Sequence, residues 1–492
     1  MNVRRHLAVT LLVTCVTAWF SIGYFAIDEY FQVLEPARVA LGDPPTWLPW
    51  EVRQQVRPML QPFLYFAIAK VLGIRDPFTL GFVARFVTGL ACVGSLALYL
   101  RTTLPWFAND DEKRLHLRVA TLAGFLPYLY VRTSSETLSL AAATAAFALL
   151  LEGTSPPAFT IVARPRRLLF VGLLFGIAFE ARYHTAFLTL GMLAWARFIA
   201  RTPWRSLAIV VAGGLLALVL GAFADRWGYG AWTFPAWRYF QANILEGAAA
   251  YFGDEPPFAF FWMLPANVFF PIVIALLLLA LIAWWRERRH PLTWATLPFF
   301  LVHNLIAHKE ERFLFPIALL STGLVTLALR SSPRLWSLRK GLLAKALVVV
   351  SFALLFLLTF YPLGWNHHVR FTRFVHDHVG DELHAHALPE FELGIPAFHG
   401  RVYDIEKSDA LALSKRIDEG TAKEWLVTDL PVLPPELDGH ATLVWSELPS
   451  FVDPKWVASY NDRAKLPLRR LEYRTLWKIT SPRQAPEGTR RP

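Results

Sequence analysis

About eleven apolar stretches, separated by short arginine-rich loops, constrain the fold of this chain more than any other feature. We interpret the stretches as membrane spans, because loops rich in Lys and Arg face the cytoplasm in multi-pass proteins. Several are shorter than a full span and can cross only as short or tilted helices around a wet cavity. The predicted spans are 7–27, 77–100, 115–131, 137–151, 168–179, 187–200, 206–224, 263–285, 292–307, 314–329 and 341–363. Residues 59–73 form a shorter stretch that we expect to be interfacial or re-entrant.

Composition supports a multi-pass membrane protein. Of the 492 residues 55% are hydrophobic, and the mean hydropathy is +0.37. The net charge of +11 lies in the short loops and indicates no nucleic-acid partner. Arg4 and Arg5 place the N-terminus in the cytoplasm, and the span order then places the C-terminus outside. The excess of Arg over Lys favours a bacterial source and its plasma (inner) membrane; a eukaryotic source would mean the endoplasmic reticulum.

The composition changes after residue 363. Apolar runs shorten to strand length at 424–428, 441–445 and 471–479, and a helical pattern covers 408–417. We therefore predict a membrane domain at 1–363 and a small soluble α/β domain at 364–492, on the outer face.

Polar residues gather at the outer ends of the predicted spans. The five clusters are Asp28/Glu29/Glu35, Trp50/Glu51/Arg57, Arg132/Ser135/Glu136, Arg182/Tyr183/His184 and 308–312. A transporter would place such residues near the membrane midplane. Carboxylates and guanidinium groups at the rim of a hydrophobic body suit an enzyme acting on a lipid-linked anion, because Arg and Lys bind phosphate and a carboxylate can accept a hydroxyl proton. The sequence contains no phosphate-binding glycine loop, G-x-S-x-G or H-E-x-x-H motif.

The polar clusters resemble the signatures of a known family, the dolichyl- or polyprenyl-phosphate-mannose-dependent mannosyltransferases of N-glycan and GPI-anchor assembly (glycosyltransferase family 22). The most specific match is His308-Lys309-Glu310-Glu311-Arg312-Phe313-Leu314-Phe315-Pro316, and Asp28-Glu29-Tyr30-Phe31-Gln32 is also similar. Weaker matches are Thr46 to Glu51 with Arg57, the turn 132–136, and Asn243 with Tyr251-Phe252-Gly253. Pro256-Pro257-Phe258 departs from the family's His-Pro-Trp, and residues after 364 match nothing in the family.

The resemblance implies a GT-C fold and transfer of a hexose, mannose in this family, from a polyprenyl-phosphate carrier to an acceptor hydroxyl on the periplasmic or luminal face. The acceptor would be a lipid-linked molecule or a glycan. It implies Asp28 as the catalytic base, with Glu29 as the alternative base or as a group that orients Asp28. The expected donor-phosphate and substrate ligands are His308, Lys309, Glu310, Arg312, Arg57, Arg132 and Arg182. The acceptor-side candidates are Glu51, Glu136, Asn243 and Tyr251.

Three alternatives remain open on the sequence. The three outer arginines Arg57, Arg132 and Arg182 can instead form salt bridges with Glu51, Glu136 and Glu180. The chain can be a flippase or transporter of lipid-linked sugars, or a GT-C enzyme that moves arabinose or an aminosugar. Histidine pairs at 367/368, 376/378 and 384/386 have metal-like spacing, but a metal needs three or four convergent ligands, so we expect no metal and no cofactor.

Overall fold

The computed structural model describes residues 2–43, 48–157, 159–267, 271–360, 366–380, 382–389, 391, 397–398, 401–430, 432–448, 452–463 and 474–480. Thr46 and Trp47, part of one weak motif, lie outside these ranges. The chain divides into two compact units, which comprise residues 1–42 with 48–363 and residues 43–47 with 364–492.

The first unit is helical. Its α-helices are α1 (Val3–Phe20), α2 (Glu35–Ala40), α3 (Trp50–Arg53), α4 (Leu60–Leu72), α5 (Pro77–Thr103), α6 (Asp110–Leu122), α7 (Leu126–Tyr130), α8 (Ser135–Leu150), α9 (Pro165–Ala181), α10 (Ala186–Phe198), α11 (Trp204–Tyr229), α12 (Pro235–Phe240), α13 (Phe260–Asn267), α14 (Ile272–Arg286), α15 (Pro291–Leu305), α16 (Phe315–Arg330), α17 (Pro333–Leu338) and α18 (Leu342–Phe360).

Five segments of this unit are long and apolar enough to cross a membrane. They are Val3–Phe20, Pro77–Trp106, Trp204–Tyr229, Glu311–Arg330 and Leu342–Phe360. The chain is thus a multi-pass membrane protein, as predicted. The total of about eleven spans stays a prediction, in which shorter helices make the remaining crossings.

Three predicted spans differ from the helices observed, and one of them, 263–285, corresponds to two helices, α13 and α14. The first helix ends at Phe20, seven residues before the predicted end at residue 27. The chain turns at Ser21, whose carbonyl oxygen accepts a hydrogen bond from Arg132 in place of a helical N–H. The predicted span 115–131 is two helices, α6 and α7, separated at residues 123–125. Pro127 in the first turn of α7 fits a helix start and cannot continue a helix from α6.

Helices α9 and α11 pack with their backbones in close approach. A Cβ atom added at Gly172 would lie 1.9 Å from the Val210 carbonyl oxygen, and one added at Gly213 would lie 2.1 Å from that of Leu169. Gly172 and Gly176 form a G-x-x-x-G pair, the spacing that lets membrane helices touch along their backbones. This contact fixes the C-terminal half of α9, which leads directly into Arg182.

Helix α16 is the most buried of the candidate spans, and it packs against α6, α8, α14 and α15. Pro316 lies in its first turn, where a proline is preorganised for helix and needs no N–H partner. The segment 308–314 precedes this helix, and Glu136 lies in the first turn of the neighbouring α8. The packing of α8 against α16 therefore brings two of the predicted polar clusters together.

The second unit is a small α/β fold, which confirms the predicted class of the C-terminal region. Its helices are α19 (Asn366–His378), α20 (Ala410–Asp418) and α21 (Pro454–Arg463), and its strands are β1 (Glu382–Ala387), β2 (Ala397–Phe398), β3 (Arg401–Lys407), β4 (Trp425–Thr428), β5 (Ala441–Ser446) and β6 (Thr475–Ile479). The sheet order is β2-β3-β1-β4-β6-β5. Strands β3, β1 and β4 are parallel, and the outer strands pair antiparallel. Residues 471–473 of the last predicted strand lie outside the described residues.

Candidate active site

Three charged side chains from two distant parts of the sequence form the centre of the site: Asp28, Glu310 and Arg312. Arg312 Nη2 donates to Asp28 Oδ2 at 2.5 Å, and Arg312 Nε and Nη2 both donate to the Glu310 carboxylate at 2.7 Å. Arg312 is 6% exposed, whereas the two carboxylates are 27% and 31% exposed. A buried guanidinium thus holds two carboxylates that solvent and a substrate can reach.

Asp28 is positioned by the residue that follows it. Glu29 Oε1 accepts a hydrogen bond from the Phe25 backbone N–H (2.9 Å), and Glu29 Oε2 accepts one from the Thr133 backbone N–H (3.1 Å). Asp28 itself directly precedes a π-helical turn, Glu29–Leu34, an irregularity that often marks functional sites. Glu29 is buried and joins the loop after α1 to the turn before α8.

Arg132 completes this connection from the other side. Its guanidinium donates to the carbonyl oxygens of Gly23 (2.5 Å) and Ser21 (3.0 Å) and to the Ser21 hydroxyl (2.6 Å). Arg132 is fully buried and lies over the Tyr128 ring. Glu29 and Arg132 therefore hold the end of α1 and the turn 132–136 in a fixed relation, and both have their polar atoms committed to the protein.

A second layer of charge lies beneath the Asp28–Arg312 pair. Glu136 Oε1 lies 3.3 Å from Arg182 Nε and 4.0 Å from Arg312 Nε. The Arg182 guanidinium lies 4.6 Å from the Phe313 ring centroid, which orients it by a cation–π contact. Arg57 contacts Glu51 at 3.6 Å, and Glu51 accepts a hydrogen bond from Gln32 at 3.0 Å.

Several buried polar atoms here lack hydrogen-bond partners within the described residues. They are Arg57 Nε, Arg182 Nε, Glu136 Oε1 and His308 Nδ1. Arg182 Nε and Glu136 Oε1 form an ion pair at 3.3 Å that does not have the geometry of a hydrogen bond. Buried polar groups are nearly always satisfied in folded proteins, so a concentration of unsatisfied polar atoms is a feature to be explained. Unused guanidinium N–H groups around an accessible carboxylate can bind an anion such as a phosphate.

The electrostatic environment keeps the two accessible carboxylates ionised. Burial by itself raises the pKa of Asp28, but the charges of Arg312 and Arg57 outweigh it and hold that pKa below its ordinary value. Burial likewise opposes ionisation of Glu310, and Arg312 with His308 lowers its pKa well below the usual range. In Glu29 burial dominates and raises the pKa.

The two histidines have different surroundings. His308 Nε2 lies 3.2 Å from Glu310 Oε1, so His308 joins the central cluster. His184 is packed among the rings of His303, Tyr239 and Phe313. Burial, and then the nearby His303 and Arg182, lower the pKa of His184 well below its ordinary value, so this ring is neutral.

The Lys309 side chain binds backbone carbonyl groups, whereas the Arg312 side chain binds carboxylates. Lys309 Nζ donates to the carbonyl oxygens of Ile306 (2.5 Å), Glu255 (3.0 Å) and Ala307 (3.4 Å). The lysine is 3% exposed. Its ammonium donors are thus used by backbone acceptors.

Two of the acceptor-side candidates, Asn243 and Tyr251, lie in the segment between α12 and α13. Asn243 Nδ2 donates to the Tyr239 carbonyl oxygen at 3.1 Å, within its own helical turn. Tyr251 is 90% exposed, the most exposed of the large apolar residues described. Its neighbour Phe252 lies between Trp50 and His308, with ring centroids 6.1 Å and 6.0 Å away.

Comparison with known proteins decides the family. The sequence model of the Alg9-like mannosyltransferase family matches residues 6–378, which include every site residue described above. The chain belongs to this family.

Curated members of the family are similar over part of their length. GPI mannosyltransferase 3 of Gibberella zeae is 24% identical over 363 residues, covering 62% of this chain and 56% of the relative. GPI mannosyltransferase 3 of Yarrowia lipolytica is 28% identical over 329 residues, covering 65% of this chain and 60% of the relative. The chain thus spans little more than half the length of these curated relatives.

A solved structure shares the fold over nearly the whole chain. The crystal structure of ArnT from Cupriavidus metallidurans bound to undecaprenyl phosphate superposes with a TM-score of 0.54, covering 97% of each chain at 13% identity. The likeness shows a common fold, and it confirms the GT-C fold that the family motifs imply.

The structure revises two of the salt bridges considered for this family member. Arg57 contacts Glu51 as considered, but Arg182 contacts Glu136 and not Glu180, since Glu180 lies against Gly221 of α11. Arg132 forms hydrogen bonds to Ser21 and Gly23 and not to Glu136.

Three site residues were missed by sequence reasoning. Tyr239 lies under Arg57, with the guanidinium carbon 5.7 Å from the ring centroid, and Phe313 lies under Arg182. Glu255 binds the Lys309 backbone. The one available signal in the sequence was an acidic residue, Glu255, directly before Pro256-Pro257 in the segment between α12 and α13.

Among the described residues no group of three or more His, Cys, Asp or Glu side chains has the geometry of a metal site. The histidines of the second unit bind separate partners: His384 contacts Asp404 and Glu382, and His378 faces the Phe374 carbonyl oxygen.

Proposed function

We propose that this chain is a membrane glycosyltransferase that moves a hexose, mannose in the first instance, from a polyprenyl-phosphate carrier to an acceptor hydroxyl. The observation that carries the proposal is the accessible Asp28 carboxylate, which lies beside unsatisfied guanidinium donors in a member of the Alg9-like mannosyltransferase family. The site supplies a proton acceptor and an anion-binding surface next to each other, as glycosyl transfer from a phosphate carrier requires.

The proposed reaction is a direct displacement. The acceptor hydroxyl oxygen forms a bond to the anomeric carbon while the bond from that carbon to the donor phosphate oxygen breaks. Asp28 takes the hydroxyl proton, and the bonding electron pair leaves on the phosphate, giving a glycoside of inverted configuration and the polyprenyl phosphate. The single displacement balances all atoms and charges, and it requires no covalent glycosyl-enzyme intermediate.

Arg312, Arg57 and Arg182 are proposed to bind the phosphate. Within the described residues Nη1 of Arg312 makes no hydrogen bond, and Arg57 and Arg182 each retain an unsatisfied Nε. Positive charge at this position stabilises the negative charge that grows on the leaving phosphate. When the phosphate draws on Arg312, the hold of Arg312 on Asp28 weakens, and the carboxylate becomes a stronger base.

Glu310 and His308 are proposed to complete the phosphate side of the site. Glu310 fixes the plane of the Arg312 guanidinium through two hydrogen bonds, and His308 Nδ1 has no partner within the described residues. Glu51 and Glu136 hold the supporting arginines Arg57 and Arg182. Glu29 and Arg132 act in this proposal as positioning residues for Asp28.

The test is product formation by the purified full-length protein with radiolabelled polyprenyl-phosphate mannose and a lipid or glycan extract of its host. We expect a new mannosylated product that is absent with Asp28→Asn. Carriers of glucose and arabinose, offered in parallel, test the sugar. If no carrier is consumed while labelled lipid-linked sugar crosses the bilayer of proteoliposomes, the chain is a flippase and the proposal is wrong.

We further propose that the site faces the periplasm of a bacterial plasma membrane, with the N-terminus cytoplasmic and the second unit outside. The basic loops between predicted spans support this orientation. Single cysteines introduced at Tyr251 and Arg166 test it in intact cells with a membrane-impermeant thiol reagent. Labelling at position 166 with protection at 251 would reverse the orientation.

A further inference from the structure

Residues 253–258, between α12 and α13, are joined to residues 304–309 by a reciprocal set of hydrogen bonds. The Lys309 backbone N–H donates to Glu255 Oε2 (2.9 Å), and Lys309 Nζ donates to the Glu255 carbonyl oxygen (3.0 Å). The Glu255 backbone N–H donates to the Ala307 carbonyl oxygen (3.1 Å), and that of Phe258 donates to the Asn304 carbonyl oxygen (3.3 Å). We name this set, between residues 253–258 and 304–309, the clasp.

Lys309 is suited to the clasp and poorly suited to a substrate. The lysine is almost fully buried, and its ammonium group contacts three carbonyl oxygens. Moving Nζ to a phosphate would break the hydrogen bonds to the Ile306 and Glu255 carbonyl oxygens, at a cost in free energy for each. Arg57, Arg182 and Arg312 already surround the Asp28 side of the site.

The clasp sets the position of two aromatic residues beside the site. Gly253, with a φ of +132°, follows Phe252, and a Cβ at this glycine would lie 2.8 Å from Glu255 Oε1. The backbone therefore turns tightly here, in a conformation that favours glycine. The turn holds Phe252 between Trp50 and His308 and leaves Tyr251 exposed.

We propose that Lys309 and Glu255 are positioning residues that act as one unit: the clasp holds Tyr251 and Phe252 as a wall of the acceptor side of the site. This inference rests on the proposed glycosyl transfer. It assigns Lys309 a role in shaping the acceptor side, where the family resemblance suggested a phosphate ligand, and it assigns a role to Glu255.

The experiment is a double-mutant cycle in the full-length protein. Lys309→Met removes the ammonium group at nearly constant volume, and Glu255→Ala removes the carboxylate. We expect each variant to raise KM for the acceptor about 10- to 100-fold with kcat little changed, and the double variant to be no worse than either single variant. Glu255→Gln, whose amide oxygen can still accept from the Lys309 N–H, is expected to restore most of the loss. Glu246→Ala, in the same loop and outside the clasp, is the matched control.

Hydrogen–deuterium exchange of residues 248–258 provides a measurement independent of activity. We expect faster exchange in both single variants and unchanged exchange in Glu246→Ala. The proposal is overturned if exchange is unchanged in Lys309→Met, if the two losses are additive, or if Lys309→Met lowers kcat far more than Glu255→Ala does. If the wild-type protein transfers no sugar, the proposed function fails, while the exchange data still decide whether the clasp exists.

Discussion

Asp28 and Arg312 lie 284 residues apart in the sequence and are joined by a 2.5 Å hydrogen bond between Oδ2 and Nη2. The pair joins the start of the loop after α1 to the segment before α16. In the proposed reaction Asp28 is the proton acceptor and Arg312 binds the phosphate, so this contact couples the basicity of Asp28 to phosphate binding by Arg312.

Asp28→Asn is expected to lower kcat about 100- to 10,000-fold, the usual contribution of a general base. Asparagine keeps the size of the side chain and one oxygen toward Arg312 but cannot take a proton at neutral pH. Steady-state kinetics with a saturating donor measures the effect. Thermal unfolding in detergent is the control, and near-normal turnover in a folded variant would remove Asp28 from the mechanism.

Arg312→Lys is expected to lower kcat about 100- to 1000-fold although it preserves charge. Lysine cannot form two parallel hydrogen bonds to Glu310 and a third to Asp28 with one planar group. Arg330→Lys, at the opposite end of α16 from the cluster, where Arg330 pairs with Glu287, serves as the matched control. Equal activity of Arg312→Lys and wild type would show that charge alone suffices.

The acid limb of activity is expected to depend on Arg312. In the wild type the pKa values of Asp28 and Glu310 are lowered, so both groups stay ionised from pH 8 down to below their ordinary values near 4. The stability that their ionisation contributes is present above those values and is lost as the pH falls through the lowered pKa values. Arg312→Gln removes the lowering charge while burial remains, so the acid limb of its residual kcat/KM should move upward. Identical limbs would contradict the assigned electrostatics.

Much of this arrangement follows from the sequence, and the reasons for the misses are physical. Charged residues are costly inside the hydrocarbon region, so those at the ends of apolar runs are expected at the membrane surface. The positions of the motifs 28–32 and 308–316 therefore predict that they converge on one side of the membrane. Partners within the cluster are not predictable in this way. Arg132 binds backbone carbonyl groups freed by the early end of α1, and carbonyl groups carry no sequence signal. Glu29 likewise binds two backbone N–H groups.

Glu29→Gln is expected to destabilise the protein by about 1–3 kcal/mol, because the new amide N–H₂ must face a backbone donor at either Phe25 or Thr133. The midpoint of thermal unfolding measures this loss. If Glu29 acts only in positioning, the folded variant keeps the wild-type pH profile, because Asp28 still provides the base. Loss of the acid limb would instead make Glu29 the base, because the acid limb reports protonation of the essential base.

Gly172→Ala is expected to destabilise the α9–α11 contact, since its Cβ would lie 1.9 Å from the Val210 carbonyl oxygen and the helices would have to separate. Gly214→Ala on the same interface is the matched control, because its Cβ finds its nearest neighbour at 3.7 Å. Overpacking of this kind costs about 1–3 kcal/mol. Unfolding midpoints in detergent compare the two, and equal midpoints would exclude the close approach.

The wide spacing of the site residues along the chain sets an order on its biosynthesis. Glu29 meets Thr133 after 104 residues, whereas Asp28 waits 284 residues for Arg312. At a synthesis rate of about 5–20 residues per second, the Glu29 connection becomes available several seconds after the first loop emerges, and the arginine follows roughly ten or more seconds later. During that interval the backbone beside Asp28 is already anchored, and Arg57 is the cation available to its carboxylate. The nascent chain therefore fixes the position of Asp28 before the arginine that binds it directly has been synthesised.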